Sequence, residues 1–325
     1  FFFGMNIIDW IAISFAIIFQ LFLFKIGMNF NRKLIKFSAL AVYFGMLMFF
    51  LSVLLSDVKF TYTAFLEILD LENVFQTKNV APLITVTGTM FAYFSIVILS
   101  FGDFSRYVKD INELNKGNLS LILNLIIFSF FALFIVVGVD AYLKEDPENL
   151  SRILTNPTDI IGKLDNLLIT NLALIFIVVA SASTNLITNF IPSQYTLINF
   201  IPSSLNLKSS SFIITILGFL IGVFWLTYLS QIGILSFIDS FGAFFGPLFG
   251  IMIAVYYFEK KETLNNKDIY SMENDGAYYY SGGWHIKGVY SLLLGFIFAA
   301  STIWNGNLMF LHSFSWIIGA TVSSI

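Results

Sequence analysis

Residues 180–195 read ASASTNLITNFIPSQY, a run of serine, threonine and asparagine that ends the apolar stretch NLLITNLALIFIVVA. These side chains are suited to two kinds of chemistry. Each asparagine carries both an acceptor and a donor, the pair needed to recognise an amide or lactam edge. Hydroxyls and a backbone carbonyl are hard oxygen ligands, suited to a small cation such as Na⁺. On a helix, Asn185 and Asn189 are four residues apart and share a face. Thr184 sits beside Asn185, and Ala180, Ser183 and Thr184 share the adjoining arc. A second reading needs no ligand: small residues and Ser, Thr or Asn side chains also glue transmembrane helices together.

Another apolar stretch, LITVTGTMFAYFSIVILSFGDFSRY, sets Gly88 between Thr87 and Thr89 and follows it with Phe91, Tyr93 and Phe94. The glycine is a candidate for opening the helix, and the aromatics for stacking a flat ring. In a chain with 39 Phe, packing is the competing role for those rings. Asp239 lies about two turns inside a further apolar stretch, where a carboxylate carries a proton or is simply hydrogen-bonded. Pro247 within GPLFG predicts a kink.

The elements that must position these residues follow from composition. Of 325 residues 58% are hydrophobic, 18% aromatic and only 11% charged, with a mean hydropathy of +0.84. A soluble domain carries roughly 25% charged residues, so a water-facing surface cannot be built from this inventory. Apolar runs of about 18 residues or more predict helices that cross the ~30 Å hydrocarbon core. The fold class is therefore all-α, a polytopic transmembrane helical bundle. Barrel strands would alternate apolar and polar residues, and these runs do not. Nine spans are predicted: 7–24, 37–55, 83–102, 118–140, 167–186, 210–229, 231–258, 288–304 and 309–325. With no cysteine, disulfides, thiolate metal sites and thiol catalysis are excluded. His285 and His312 are the two histidines, too few for a metal or proton-relay cluster, and no basic stripe suggests nucleic acid.

Charge then orients the spans. Twelve of the 17 Lys and Arg fall in the odd-numbered connections and five in the even ones, so the odd connections are expected to be cytoplasmic. The first span then runs inward, and the C-terminus is cytoplasmic in a multi-pass protein of the cytoplasmic (inner) membrane. The even connections are acid-rich, with Asp57, Glu67, Asp70, Glu72, Glu145, Asp146, Glu148 and Asp159. The chain opens FFFGMNII, with neither an initiator Met nor the basic region of a signal peptide, and reads as a cut end. A protein that starts in the cytoplasm then requires an odd number of spans upstream. The stretch IPSQYTLINFIPSSLNL, punctuated by Pro192 and Pro202, is expected at the cytoplasmic interface or packed below the bundle.

Several of these stretches, in order, resemble the nucleobase–cation symporter family of cytosine, uracil, allantoin and hydantoin permeases. GDFSRY (102–107) is similar to its Asp-Phe-Ser/Thr-Arg-Tyr/Phe signature. STNLITN (183–189), followed by NFIPSSL (199–205), is similar to its Ser-Thr-Asn-x-x-x-Asn element. GPLFGIMIAVYYFEKK (246–261) resembles Pro-x-x-Gly-x-x-x-x-Asp-Tyr-Tyr, with Val255 where the family has aspartate. YYYSGGWHIKGVYSLLLG (278–295) and SWIIG (315–319) resemble its last two spans.

The resemblance implies twelve spans on a LeuT-like 5+5 inverted-repeat fold. Residues 1–325 would form a single transmembrane transporter domain, the nine spans being family helices 4 to 12 with the first three absent. It implies that Asn189 contacts the substrate and that Asn185 lies a turn earlier. Phe94 stands where relatives often carry a ring-stacking tryptophan, with Tyr93 as its neighbour. The Ala180 carbonyl and the Ser183 and Thr184 hydroxyls match half of a sodium site. The implied function is not enzymatic: a secondary active transporter, a cation-coupled symporter, importing a nucleobase, allantoin or hydantoin by alternating access. Na⁺ is favoured over H⁺ as the coupling ion, because the site consists of neutral oxygens. The implied partners are the heterocyclic substrate and the lipid bilayer, with no nucleic acid and no obligate protein partner. The alternative is a non-transporting membrane remnant, or a membrane protein of another function, whose polar patch is helix glue.

Overall fold

Asn6 starts the first helix as its cap: its Oδ1 accepts from the Asp9 N–H, and the Asp9 carboxylate accepts from the Asn6 N–H, each at 2.9 Å. From there the computed structural model describes residues 4–325 apart from 57–58, 60–61, 64–65, 67–75, 143–160, 162–166, 233 and 272. The acids Asp57, Glu67, Asp70, Glu72, Glu145, Asp146, Glu148 and Asp159 lie outside the described residues.

The longer helices are α1 (Ile7–Ile26), α2 (Met28–Ser56), α3 (Thr77–Leu99), the short α4 (Phe101–Ser105), α5 (Ile111–Tyr142), α6 (Leu167–Asn185), α7 (Ile191–Phe200), α8 (Leu207–Thr227), α9 (Ile234–Ile253), α10 (Ile286–Trp304) and α11 (Ser315–Ser324). Among the described residues, seven helical stretches are long and apolar enough to cross a membrane: Ile7–Ile26, Thr77–Leu99, Ile111–Ile135, Leu167–Phe200, Leu207–Thr227, Phe237–Glu259 and Ile286–Trp304. The protein is a multi-pass helical bundle, and the outward apolar side chains of α1, such as Ile8, Ile11, Phe15 and Ile18, are exposed as lipid-facing residues would be. Predicted span 37–55 lies within α2. Predicted span 309–325 differs: it begins in a 3₁₀ segment (Gly306–Phe314) and leaves α11 only 10 residues long. The segment opens on Asn305, whose side chain accepts from the Asn307 N–H at 3.0 Å.

The chain divides into two compact units, Phe1–Glu72 with Ser105–Val223, and Asn73–Phe104 with Phe224–Ile325. In the first, Gly27 at φ 97° breaks the helix between α1 and α2, a conformation that favours glycine. The carbonyls left over by that break are satisfied by the buried Asn31 amide, which donates to Leu23 O at 2.6 Å and Gly27 O at 3.0 Å. Helix α2 packs on α5 and α6, where Phe50 meets Phe130, Phe131 and Phe134, and Phe37 meets Phe176. The core of the unit is Leu23 of α1 against Leu186, Phe190 and Ile191.

The second unit is built on small residues. Gly242, Gly246 and Gly250 recur every fourth residue, and so line one face of α9. Gly242 lies against Ala92 of α3, Gly246 against the Trp316 backbone, and Gly250 against the Ala320 carbonyl and Ser323. Pro247, on the same helix, touches Gly295 and Gly319, and its carbonyl accepts from Ser323 Oγ at 2.8 Å. Helix α3 runs unbroken through Gly88. Its missing side chain makes room for the Ser313 backbone, so close approach and not helix opening explains this glycine.

Candidate functional site

The polar patch of α6 sits where the helix changes register. Residues Leu186–Phe190 form a π-turn, in which the Ile191 N–H bonds to Leu186 O, one residue further back than in an α-helix. Pro192, two residues on, has no N–H to give Thr188 O and would crowd that carbonyl in a regular α-helix. The wider turn carries the chain through the proline, and α7 continues directly. Residues 191–200 are helical and continue the same apolar helix, Leu167–Phe200, whose 34 residues exceed the roughly 20 needed to cross the hydrocarbon core.

On this turn the predicted residues come together in one ladder. Asn189 Nδ2 donates to Asn185 Oδ1 at 2.7 Å, and Asn185 Nδ2 donates to Gln20 Oε1 of α1 at 3.2 Å. Asn185 and Asn189 are exposed, whereas Leu186 and Phe190, each next to one of them, are buried and hold the turn against Leu23. Thr184 is exposed and its carbonyl accepts from Thr188 Oγ1 at 3.0 Å. Ser183 is buried, and its hydroxyl donates to Ala180 O at 3.0 Å. The Ala180, Ser183 and Thr184 oxygens thus lie within about one turn of one helix, and all three are neutral. A hard monovalent cation fits such a donor set chemically, as part of a larger shell. Among the described residues no group of three His, Asp or Glu is arranged to hold a metal ion.

Sequence reasoning missed Gln20. It is buried, with only 8% of its surface exposed, and its Nε2 has no hydrogen-bond partner. A lone glutamine within IIFQLFLF was the available signal, since an amide at that depth needs a partner.

Tyr93 and Phe94 lie on α3 of the second unit, their rings edge to face with centroids 5.2 Å apart. Phe94 is half-buried and Tyr93 exposed. The more deeply buried aromatic stack in this unit is a different one. Trp316 is flanked by Phe91 at 5.5 Å and Phe249 at 5.2 Å, and its indole N–H is buried without a partner. Asp239 is buried, and its carboxylate meets His312 Nε2 at 3.0 Å. That contact ties the 3₁₀ segment to α9, while Ser313 Oγ donates to Thr85 Oγ1 at 3.1 Å and ties it to α3.

Two motif segments acquire partners at their helix ends. In the first unit Arg106 of GDFSRY lies 4.5 Å over the Tyr195 ring, and the Tyr107 and Tyr195 hydroxyls are 3.3 Å apart. In the second, α9 passes through another π-turn (Ala254–Glu259) to a cluster in which Lys260 meets Glu259 at 3.2 Å and faces Tyr278 and Tyr280. Burial alone would lower the pKa of the Lys260 ammonium, but its hydrogen bond to Glu259, with Tyr280, Glu259 and Tyr278 around it, outweighs this and raises it. His285 caps α10 by accepting the Gly288 N–H at 2.8 Å and stands 3.5 Å from Glu259.

A family model described as permease for cytosine/purines, uracil, thiamine, allantoin matches residues 4–319. A purine-uracil permease of Arabidopsis thaliana is 28% identical over 296 residues, which is 91% of this chain and 46% of that protein. An allantoin permease of Bacillus subtilis (strain 168) is 27% identical over 239 residues, 73% of this chain and 46% of its own. A hydantoin permease of Microbacterium maritypicum is 26% identical over 125 residues, 38% of this chain and 24% of its own. The chain spans about half the length of the first two. No solved structure matches it. These relatives are transporters and not enzymes, and the match runs through the helices that carry both the amide ladder and the glycine-packed unit: the chain belongs to the family of permeases for cytosine and purines, uracil, thiamine and allantoin.

Proposed function

We propose that this chain is part of a secondary active transporter that imports a nucleobase, allantoin or hydantoin together with a cation, by alternating access. One observation carries the reading: two exposed asparagines, joined by a 2.7 Å hydrogen bond, sit one before and one within a π-turn inside a helical stretch of 34 residues. π-turns inside helices recur at functional sites, and amide side chains match the N–H and C=O edge shared by these heterocycles. In this reading Asn189 hydrogen-bonds the substrate edge and Asn185 orients Asn189. Phe94 stacks on the substrate ring, with Tyr93 beside it. The Ala180 carbonyl and the Ser183 and Thr184 hydroxyls would hold a sodium ion, which supplies a positive charge whose binding favours the substrate-ready state. Sodium is preferred to a proton because these three ligands are neutral oxygens. The fold assigned to the whole protein is the LeuT-like 5+5 inverted repeat, with this chain a single transporter domain supplying nine of its spans. The C-terminus is assigned to the cytoplasmic side of the cell membrane.

The cation assignment is tested by Thr184→Ala in vesicles with an imposed sodium gradient. Loss of one of few ligands is expected to raise the half-saturating sodium concentration about tenfold, the equivalent of ~1.4 kcal/mol. An unchanged sodium dependence removes Thr184 from the site.

A second reading rests on a specific contact. The bond from Asn185 to Gln20 joins α6 to α1 at 3.2 Å, as helix-packing glue would. If glue is all the patch provides, Asn185→Ala lowers the melting temperature and leaves substrate binding at wild-type strength.

A further inference from the structure

The two hydrogen bonds of the amide ladder run in one direction. Asn189 donates to Asn185, and Asn185 donates to Gln20. Gln20 receives through Oε1 and leaves its own Nε2, buried, with nothing to donate to. A buried donor without a partner is costly, and leaving one is the least economical way to join two helices. An apolar side chain of similar volume would fill the same space on α1 without that cost.

We infer that Gln20 is a positioning residue for substrate recognition: by accepting from Asn185 it fixes the direction of the ladder, so that Asn189 presents its Oδ1 as a free acceptor. This rests on the permease reading of the same patch. An amide has two chemically different ends, and a ladder of three has two directions. With Gln20 accepting, Asn185 must turn its carbonyl to Asn189, and Asn189 must spend an N–H in reply. What remains on Asn189 is one acceptor oxygen and one N–H, the complement of a ring N–H beside a carbonyl. In the reverse direction Asn189 would give one of its two oxygen lone pairs to Asn185 and keep both N–H groups, a face richer in donors. A lactam or imide edge matches the first arrangement better, and an edge richer in acceptors matches the second. The residue that chooses between them touches no ligand, since Gln20 reaches Asn189 only through Asn185.

The test uses the full chain reconstituted in vesicles, with labelled uracil, allantoin and hydantoin as probes and two variants. Gln20→Met removes both the acceptor and the stranded donor at similar volume. Gln20→Glu keeps an acceptor toward Asn185 in either protonation state. For the probe that the wild type takes up, KM is expected to rise about tenfold or more in Gln20→Met, with the maximal rate little changed, because a displaced hydrogen-bonding group weakens recognition. Gln20→Glu should return KM toward the wild-type value, and Gln20→Met should melt no lower than the wild type. An unchanged KM in Gln20→Met overturns the inference while leaving the permease reading standing. So does a rise in KM matched by a fall in melting temperature and not rescued by Gln20→Glu, which would mark Gln20 as a structural tie. A wild type that takes up none of the three probes overturns the permease reading and this inference with it.

Discussion

Asn189→Ala is expected to reduce substrate binding by about 100-fold or more while leaving the fold intact. The two halves of that expectation have separate causes. Asn189 is exposed, and the bond it gives Asn185 is made at the edge of the ladder, so its removal leaves Asn185 Oδ1 free to meet water or lipid headgroups. Net loss for an exposed hydrogen bond is about 1 kcal/mol or less. The bound state suffers more. A heterocycle taken out of water and set against a site that no longer answers its N–H and C=O leaves those groups unpaired, and sites that read polar edges discriminate by several powers of ten. Equilibrium binding of labelled uracil, allantoin and hydantoin to the full chain, beside its melting temperature, separates the two. Wild-type affinity in Asn189→Ala would remove this residue from recognition.

Gly250→Leu is expected to have the largest effect on stability. A Cβ at this position meets the Ala320 carbonyl and Ser323 Oγ, so even the first carbon of a side chain has no room. The obstruction is backbone, which cannot rotate away as the end of a flexible side chain can. Overpacking a core costs typically 1–3 kcal/mol, and a backbone clash belongs at or above the upper end of that range. The clash also displaces Ser323, whose hydroxyl serves Pro247 O at 2.8 Å. Gly218→Ala on α8 is the control: nothing lies within 4 Å of its Cβ, and Gly to Ala within a helix is worth roughly 0.5–1 kcal/mol in favour of folding. Melting temperatures of the purified variants check both signs. Equal stability of Gly250→Leu and the wild type would contradict the packing of α9 on α11.

These two sites differ in how much of them the sequence discloses. Asn185 and Asn189 are legible because amides at hydrocarbon depth are rare and their spacing of four puts them on one face. The π-turn beneath them is not legible, since Pro192 reads equally well as the end of a helix and as a change of register within one. For that reason the sequence places 191–200 at the cytoplasmic interface or below the bundle without disclosing that it continues the helix as α7. Gln20 is hidden for the opposite reason: a single amide in an apolar run carries no spacing, and its partner is 165 residues away in the chain. In α9 the period of four at Gly242, Gly246 and Gly250 is present in the sequence, but Pro247 beside it suggests a bend more strongly than a packing face. Gly88 is similar. Its neighbours Thr87 and Thr89 suggest a polar opening, yet what occupies the space is the Ser313 backbone, which no local pattern around Gly88 announces.

The charged ends follow the same division. Arg106 and Tyr107 belong to a recognisable motif, their partner Tyr195 lies between two others, STNLITN and NFIPSSL, and only the fold joins them. Asp239 is visible as a carboxylate inside an apolar run, whereas His312 becomes its partner because residues 306–314 wind as a 3₁₀ segment between α10 and α11.

The central claim, that this family member moves a flat nitrogen heterocycle across the membrane using the amide ladder of α6, is tested most directly by uptake. The full chain in sealed vesicles is given labelled uracil, allantoin or hydantoin, with and without an inward sodium gradient, beside Asn189→Ala. The account predicts saturable accumulation of at least one of them, stimulated by the gradient and lost in Asn189→Ala. Accumulation no greater than in protein-free vesicles for all three, or uptake undiminished in Asn189→Ala, would contradict it.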